Sequence, residues 1–326
     1  MPQPPFWRQD GGRLAPALLA PFGAVTAWLT ARRVARQGWA APVPVVCCGN
    51  ATVGGSGKTT VVLDLLPRLA ARGWAPHALL RGYGGSARGV RQVMPGDDAA
   101  ETGDEALLLA AAAPTWICAD RAVGARAAIA AGARSLVMDD GLQNPTLRKN
   151  LSLLVIDGGF GFGNGRLLPA GPLRESVAAC AARCEAAVLI GPDETGALAA
   201  LPPTLPVLPA FLDPGPATRA LAGRRVIAFA GIGRPAKFFA TLRDAGAEVA
   251  GTLSFPDHHR YRRDTLAYVL DHAAQLNALP VTTAKDAVRL PADLRPRFAV
   301  ADVTLRWQAP EAIDGLLGAV APARAA

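Results

Sequence analysis

The chain has 326 residues, of which 51% are hydrophobic and 18% are charged. This length and composition allow a sizeable core and two domains, and they exclude a disordered tail. The formal net charge of +8 favours anionic partners such as phosphates and acidic lipids. Aromatic residues make up only 6% and are not interleaved with Arg and Lys, so we expect no nucleic-acid partner.

The N-terminal part of the chain carries an apolar run, residues 14–30, followed by Arg32, Arg33 and Arg36. A signal peptide is excluded because the basic residues follow the apolar run instead of preceding it. The run is near the lower length limit for a spanning helix, and two prolines and a glycine interrupt it. An interfacial helix with an arginine cluster for lipid phosphates fits better, and a helix packed on the protein's own core is the alternative. We therefore predict that residues 1–36 form a membrane-associating N-terminal helix.

From residue 43 onward, short apolar runs alternate with stretches of helical periodicity. This alternation is typical of an α/β protein with a mostly parallel sheet. Strands are predicted at Val43–Cys48, His77–Leu80, Thr115–Cys118, Ser135–Met138, Leu151–Ile156 and Ala187–Ile190. Helices are predicted at Lys58–Ala71, Asp104–Ala113 and Arg121–Ala131.

A proline-rich stretch, Pro202–Pro216, separates this unit from a second α/β pattern. Strands of the second pattern are predicted at Arg225–Ala230, Glu248–Leu253, Pro280–Thr283 and Phe298–Leu305, and helices at Pro235–Ala245 and Asp264–Asn277. We therefore predict a larger domain over 37–205, a linker over 206–222 and a smaller α/β domain over 223–326.

A glycine-rich loop joins the first predicted strand to the helix that begins at Lys58. In such a loop backbone N–H groups turn inward around phosphate oxygens, and the helix N-terminus adds the positive end of its dipole. We predict that Lys58 reaches the β- and γ-phosphates of ATP and that the Thr59 hydroxyl binds Mg²⁺. Thr52 replaces the first glycine of the G-x4-G-K-[ST] pattern, while the flanking strand and helix keep the expected context. The predicted ATP-binding residues are Thr52, Val53, Gly54, Gly55, Ser56, Gly57, Lys58, Thr59 and Thr60.

An acidic pair, Asp139 and Asp140, ends the strand predicted at Ser135–Met138. A carboxylate at the C-terminal end of a neighbouring parallel strand lies at the crevice where ligands bind, and in P-loop proteins an Asp there holds Mg²⁺. Two adjacent Asp side chains repel each other unless a cation is near. We therefore predict a magnesium site formed by Thr59, Asp139 and Asp140, with an exposed Asp-Gly turn as the alternative.

Three further segments carry candidate chemistry, although each is equally compatible with an ordinary loop or cap. Asp104 opens a helix, as an N-terminal capping residue does. Residues 254–261 contain His258 and His259, two of the four histidines in the chain. The loop over residues 81–85 supplies a cation, an aromatic ring and flexible glycines beside a predicted strand.

Taken together, these segments resemble the tetraacyldisaccharide 4'-kinase family, the lipid A 4'-kinases. The matching stretches are GNATVGGSGKTT (49–60), RGYGG (81–85), TGDEALLLA (102–110), ADRAVGARAA (119–128), DDGLQN (139–144), FGNGRLLPAGPLRES (162–176), AFAGIGRPAKFF (228–239), FPDHHRY (255–261) and TTAKDAVRL (282–290). Each stretch alone is weak evidence, but the ordered series covers almost the whole chain and is specific. Thr52 is itself part of the family pattern and therefore does not count against ATP.

The resemblance implies two α/β/α sandwich domains joined by a short stranded linker, with a P-loop kinase domain first and a smaller domain closing the active-site cleft. It implies MgATP-dependent phosphorylation of the 4'-hydroxyl of a tetraacylated glucosamine disaccharide 1-phosphate, which gives lipid IVA on the way to lipopolysaccharide. The enzyme would lie on the cytoplasmic face of the bacterial inner membrane through its N-terminal helix. We expect a lipid-linked substrate and an anionic membrane surface as partners, and we infer no obligate protein partner.

The resemblance also assigns residues to the reaction. Asp104 would activate the acceptor hydroxyl, and His258 would assist from the second domain as the other member of a catalytic pair. The predicted substrate-site residues are Arg81, Tyr83, Glu105 and Gln143. One position departs from the family, which usually has His where this chain has Asn144. An amide forms hydrogen bonds but does not titrate near neutral pH, so we assign Asn144 no proton-carrying role.

Three other classes of P-loop protein are alternatives. A nucleotide-switch ATPase of the chromosome-positioning kind carries an extra lysine early in the loop, and residues 52–57 contain none. A GTP-dependent metallochaperone needs an Asn-Lys-x-Asp motif and Cys/His clusters, which the sequence lacks. A kinase for a soluble small molecule is disfavoured by the apolar and basic residues 14–36.

Overall fold

The computed structural model describes residues 4–12 and 14–320. Residues 1–3, Arg13 and 321–326, which belong to the predicted segments 1–36 and 223–326, lie outside the described residues. The helices are α1 (Leu14–Val34), α2 (Lys58–Ala71), α3 (Ala99–Thr102), α4 (Asp104–Ala110), α5 (Arg121–Ala130), α6 (Val177–Ala181), α7 (Pro216–Arg219), α8 (Pro235–Asp244), α9 (Arg263–Gln275), α10 (Ala284–Ala287) and α11 (Pro310–Ala319). The strands are β1 (Val45–Gly49), β2 (Pro76–Leu80), β3 (Arg91–Val93), β4 (Thr115–Ile117), β5 (Ser135–Asp139), β6 (Leu151–Asp157), β7 (Ala186–Ile190), β8 (Val207–Pro214), β9 (Arg225–Ala230), β10 (Glu248–Ser254), β11 (Leu279–Thr283), β12 (Ala299–Ala301) and β13 (Val303–Trp307).

The larger sheet of the described chain has nine strands in the order β13-β8-β7-β6-β1-β5-β2-β4-β3. Neighbouring strands are parallel except at the two edges, where β3 and β13 run antiparallel. Side chains of a strand alternate between faces, so Val46 and Cys48 join the core under α2, α4 and α11. Val45 and Cys47 join the opposite core, under α5 and α6. The result is a three-layer α/β/α unit, as predicted.

The smaller sheet has four parallel strands within the described residues, in the order β10-β9-β11-β12. Helix α8 packs on one face through Phe238, Phe239 and Leu242. Helix α9 packs on the other face through Leu266 and Val269. This is a second three-layer unit, so the predicted fold class of two α/β/α sandwiches is confirmed.

The C-terminal part of the chain differs from the predicted boundary of the smaller domain at 223–326. The run predicted as one strand, Phe298–Leu305, is divided: β12 belongs to the smaller sheet, whereas β13 pairs with β8 at the edge of the larger one. Helix α11 then packs on the P-loop domain, where Ile313 and Leu317 are fully buried in the same core as α2. The indole Nε1 of Trp307 also donates to Asp64 of α2, at 2.7 Å. The smaller domain is therefore inserted between strands β8 and β13 of the larger domain.

The predicted linker over 206–222 contains strand β8, which lies in the larger sheet, followed by α7. The chain crosses between the domains a second time at Asp302, and the two crossings are bonded to each other. The backbone N–H of Gly215 donates to the Asp302 carbonyl at 3.0 Å. The Asp302 carboxylate accepts the N–H of Thr218 at 2.9 Å. Strand β8 ends directly before the first crossing and its partner β13 begins directly after the second, so the two interdomain segments lie side by side.

Helix α1 contacts the rest of the protein through one narrow face, and its remaining surface is largely exposed. Pro16, Gly23 and Thr30, seven residues apart, are its buried positions, and Thr26 donates its hydroxyl to the Leu168 carbonyl at 2.7 Å. Six large apolar side chains on the remaining surface are 50% to 84% exposed: Leu14, Leu18, Phe22, Val25, Trp28 and Leu29. The helix has 21 residues and a mean hydropathy of 1.5, so by length and composition it is able to cross a membrane. An exposed apolar surface of this size is typical of a site that contacts a membrane or another protein.

Candidate active site

The glycine-rich loop leaves β1 and enters α2 as the sequence predicts. Gly57, directly before Lys58, has φ +85°, and a Cβ atom there would lie 2.6 Å from Ile190 Cδ1. The left-handed backbone conformation therefore favours glycine at this position, and a larger residue would also displace the Ile190 methyl group. The Lys58 ammonium donates to Asn50 Oδ1 at 3.1 Å, which holds it beside the loop.

The structure gives a physical reason for Thr52 at the position of the missing glycine. Thr52 is buried, and its φ is not in the left-handed region, so a side chain causes no strain there. Its hydroxyl accepts a hydrogen bond from Asn50 Nδ2 at 3.1 Å, and Asn50 in turn holds Lys58. The next residue, Val53, donates its backbone N–H to the Pro172 carbonyl at 2.8 Å, which fastens the loop to residues 162–176.

Asp139 lies at the end of β5 directly beside the P-loop helix. The Thr59 hydroxyl donates to its Oδ2 at 2.7 Å, while its buried Oδ1 has no hydrogen-bond partner. Burial raises the pKa of Asp139 to about 6, even though Lys58 and the Thr59 hydroxyl favour the ionised form. A buried carboxylate with an unpaired oxygen is costly and calls for a cation.

The donor set at this position fits Mg²⁺. A hydroxyl and carboxylates are the hard oxygen ligands that Mg²⁺ takes, and the ion fills its remaining positions with water and phosphate oxygens. Among residues 4–12 and 14–320 no group of three or more His, Cys, Asp or Glu side chains is placed to hold a metal, and this position contributes two such side chains, Asp139 and Asp140. With the Thr59 hydroxyl they are the candidate ligands of an ion that also binds phosphate oxygens.

Asp140 has the opposite electrostatic environment from Asp139. Arg174 binds both of its oxygens, at 2.8 and 2.9 Å, and Lys58 lies 3.9 Å away. Burial alone would raise the pKa of Asp140, but Lys58 and Arg174 outweigh it and lower the pKa. Asp140 thus stays ionised at the mouth of the loop, where its backbone adopts φ +57°.

Gln143 belongs to the same network as Arg174. Its amide Nε2 donates to the Asn50 carbonyl at 3.0 Å and to Glu175 Oε1 at 2.8 Å, and its Oε1 accepts from Arg174 at 3.2 Å. The side chain therefore supports the P-loop through Asn50, and of its hydrogen-bonding positions only the second lone pair of Oε1 is left for a substrate.

The predicted catalytic pair meets across the two domains. Asp104 begins α4 in the P-loop domain, and His258 lies in the loop after β10 of the smaller domain, 154 residues away. His258 Nδ1 is 2.8 Å from Asp104 Oδ2, and its Nε2 is 3.8 Å from Asp257. His258 has φ +58°, a strained conformation for histidine of the kind that clusters at functional sites.

Two cations of the smaller domain extend this contact. Lys285 forms an ion pair with Glu105 at 2.9 Å, and Arg289 Nε lies 3.2 Å from Asp104 Oδ2. Glu105 is also close enough to Asp139 to disfavour its ionised form. The P-loop cluster and the Asp104 cluster are therefore electrostatic neighbours in one cleft.

The loop over residues 81–85 lies against the start of α4. Gly103 makes this close approach possible, because its φ is +89° and a Cβ atom there would lie 2.5 Å from the Tyr83 carbonyl oxygen. The Tyr83 side chain is 74% exposed, and its ring lies edge-on to His258 at 6.4 Å between centroids. Arg81 is also exposed. Both side chains are thus free to meet a ligand beside the catalytic pair.

Sequence reasoning missed the partners that hold these groups in place, namely Asn50, Arg174, Lys285 and Arg289. All four lie inside stretches that match the family, so a signal was present, but nothing in the stretches says which cation meets which carboxylate. Asn144, at the position of the family's usual His, accepts the N–H and the hydroxyl of Thr146, both at 3.0 Å. It caps a turn here.

The family model for tetraacyldisaccharide-1-P 4'-kinases, LpxK, matches residues 15–321. A tetraacyldisaccharide 4'-kinase of Gluconacetobacter diazotrophicus is 58% identical over 318 residues, which are 97% of this chain and 97% of that protein. Its counterpart from Rhodospirillum centenum is 54% identical over 325 residues, 97% of this chain and 96% of the other. A crystal structure of the apo form of LpxK from Aquifex aeolicus in complex with ATP is 26% identical, covers 94% of this chain and 99% of its own, and has a TM-score of 0.78.

Proposed function

Because this chain belongs to the tetraacyldisaccharide-1-phosphate 4'-kinase family, we propose that it transfers the γ-phosphate of ATP to the 4'-hydroxyl of a tetraacylated glucosamine disaccharide 1-phosphate, forming lipid IVA in lipid A biosynthesis. The resemblance predicted from the sequence segments is thus confirmed at the level of the family. The observation that carries the proposal is the 2.8 Å contact of Asp104 with His258, in the same cleft as the P-loop.

Asp104 is the proposed general base. As the 4'-oxygen attacks the γ-phosphorus, a new O–P bond forms, the bond from phosphorus to the β–γ bridging oxygen breaks, and ADP leaves. The hydroxyl proton passes to Asp104, and His258, bonded to the other side of the carboxylate, holds it in orientation. Because the two residues come from different domains, the base is complete only when the cleft is closed.

The phosphates are the proposed ligands of the loop over residues 52–60. Lys58, held by Asn50, would donate its other ammonium hydrogens to the β- and γ-phosphate oxygens, and the backbone N–H groups before α2 would surround them. Thr59, Asp139 and Asp140 would hold Mg²⁺, which when bound neutralises charge on the phosphate oxygens. The unpaired Oδ1 of Asp139 supports this assignment.

The disaccharide is proposed to lie beside the catalytic pair, against Arg81, Tyr83 and Glu105. An exposed guanidinium suits the 1-phosphate or a sugar hydroxyl, and an exposed tyrosine ring suits the apolar face of a sugar. Gln143 is kept as a proposed contact at the edge of this site, next to the phosphate loop.

The membrane is the proposed location of the enzyme, on the cytoplasmic side of the bacterial inner membrane. The exposed apolar stripe of α1 supports contact with lipid, and Arg32 and Arg33 in its last turn, with Arg36 beyond, suit anionic headgroups. The lipid-linked substrate would then be reached without leaving the bilayer surface.

The test is phosphoryl transfer from radiolabelled MgATP to the tetraacylated disaccharide in detergent micelles. Asp104→Ala and His258→Ala should lower kcat by about 100-fold or more, since acid–base groups contribute that much, with ATP affinity changed little. Arg263→Gln, an exposed substitution in the same domain as His258, is the control and should behave as wild type. Wild-type protein that transfers no phosphate to authentic acceptor would refute the function, and a variant with near-normal turnover would remove that residue from the catalytic pair.

A further inference from the structure

Arg289 is a buried cation that the proposed reaction has not used. It follows α10 in the smaller domain, and only 4% of its side chain is exposed. Its Nε nevertheless reaches out of that domain to Asp104 Oδ2, at 3.2 Å. Burying a guanidinium is costly unless its charge is paired, and Asp286 of the same domain already pairs it, so burial alone does not explain the second contact with the proposed base.

The guanidinium is held rigidly by its own domain. Nε donates to the Lys285 carbonyl at 3.2 Å, Nη1 donates to the His259 carbonyl at 2.9 Å, and Nη2 donates to the Gly231 carbonyl and lies near Asp286 Oδ1, both at 3.1 Å. Asp286 is fully buried and is fixed in turn by the Tyr261 hydroxyl at 2.7 Å. Arg289 therefore presents its Nε from a fixed position and does not swing as an exposed arginine does.

Arg289 and His258 bind the same oxygen of Asp104. His258 Nδ1 lies 2.8 Å from Oδ2 within hydrogen-bond distance, and Arg289 Nε lies 3.2 Å from the same oxygen as an ion pair. Both nearest contacts from the smaller domain thus fall on Oδ2, and within the described residues no hydrogen bond is made to Oδ1, which is left for an acceptor hydroxyl.

Building on the proposed function, we propose that Arg289 is a positioning residue for the phosphoryl transfer: it fixes the Asp104 carboxylate with Oδ2 toward the smaller domain and Oδ1 toward the 4'-hydroxyl. The side chain touches neither nucleotide nor sugar in this role. It links closure of the two domains to the orientation of the base, since its anchors and Asp104 lie on opposite sides of the cleft.

The experiment compares three full-length variants in the transfer assay. Arg289→Gln should lower kcat about 100-fold, the size expected for a misplaced catalytic group, with the KM for ATP changed less than about twofold. Arg289→Lys keeps the positive charge but loses the rigid planar guanidinium and its N–H donors. Its kcat should therefore be about tenfold higher than that of Arg289→Gln and about tenfold lower than that of the wild type. Lys285→Gln is the matched control, because it breaks a cation pair across the same cleft without removing a partner of Asp104.

The comparison of Arg289→Gln with Lys285→Gln separates positioning from docking of the domains. Loss of docking alone should affect both variants equally, because each substitution breaks one cation pair across the cleft. A misplaced base should lower kcat in Arg289→Gln alone, with the KM for ATP nearly unchanged.

The outcomes distinguish this inference from the proposed function. Equal losses of kcat in Arg289→Gln and Lys285→Gln, or a loss in Arg289→Gln that appears in the KM for ATP and not in kcat, would overturn the positioning role. If Arg289→Gln does not fold, as judged by thermal melting, Arg289→Lys decides: a kcat equal to wild type would overturn the role. No transfer by the wild-type protein would overturn the proposed function, and this inference with it.

Discussion

The carboxylate of Asp139 is a buried charge that the ligand-free protein holds at the expense of its own stability. Burial raises its pKa to about 6 from the ordinary 3.8. Between these two pH values the folded protein binds the proton more tightly than the unfolded chain does, so the free energy of unfolding falls as pH rises. The difference of about two pH units corresponds to roughly 3 kcal/mol, lost by about pH 7 and present again below about pH 4.

Asp139→Asn should therefore stabilise the protein while it abolishes turnover. Asparagine keeps the shape and an acceptor for the Thr59 hydroxyl but carries no charge. We expect a gain in the free energy of unfolding of about 3 kcal/mol at pH 7.5 and about half of that at pH 5. Phosphoryl transfer should fall at least about 100-fold, because a charged ligand of the proposed Mg²⁺ is gone.

Asp140→Asn is the matched control, since it makes the same chemical change at the next residue with the opposite electrostatics. Lys58 and Arg174 outweigh burial and lower the pKa of Asp140, so this carboxylate stabilises the fold. Its removal leaves two cations without their partner, and the free energy of unfolding should decrease.

Urea denaturation in EDTA, without nucleotide, at pH 5, 6, 7 and 7.5 measures both variants against wild type. The expected pattern is a gain for Asp139→Asn that grows with pH and a loss for Asp140→Asn. An Asp139→Asn protein no more stable than wild type at pH 7.5, or one with the same gain at every pH, would refute the reasoning. Adding MgATP should then stabilise wild type far more than Asp139→Asn.

Three other substitutions test separate parts of the structure. Phe22→Asp on the exposed stripe of α1 should weaken binding to anionic vesicles in a flotation assay by at least about tenfold, and unchanged binding would contradict the membrane contact. Ile313→Ala in α11 should lower the free energy of unfolding by about 2–4 kcal/mol in urea, and a surface-like effect below about 0.5 kcal/mol would contradict its place in the core. Asn50→Ala should release Lys58 and Thr52 and raise the KM for ATP about tenfold, since a hydrogen bond to a charged group is worth about 1.5–3 kcal/mol; a KM within twofold of wild type would count against this support.

The sequence predicted those elements whose signal is local. Helix α2, Lys58–Ala71, has the predicted bounds because its apolar spacing and glycine-rich start are both visible along the chain. Strands such as β5 and β9 are short apolar runs bounded by turn residues, and they were predicted within one residue. The P-loop and Asp139 followed from the same local pattern.

The sequence could not show features that depend on distant contacts. The apolar run Phe298–Leu305 reads as one strand, yet it is divided at Asp302 because that residue bonds to Gly215 and Thr218 in the other crossing. The pairing of Arg289 with Asp104 likewise joins residues 185 positions apart, on two domains. No periodicity along the chain records such a contact, so only the fold reveals it.

The double crossing at Gly215 and Asp302 restricts how the smaller domain is able to move. A domain connected by one flexible segment can rotate in any direction, whereas two adjacent segments bonded to each other act as a flat two-stranded ribbon. Such a ribbon bends easily out of its plane but resists bending within its plane, so the favoured motion is a rotation about a single axis near these two residues. Such a rotation would move the smaller domain as a rigid body. Its three contacts with Asp104 and Glu105, made by His258, Lys285 and Arg289, would then form and break together.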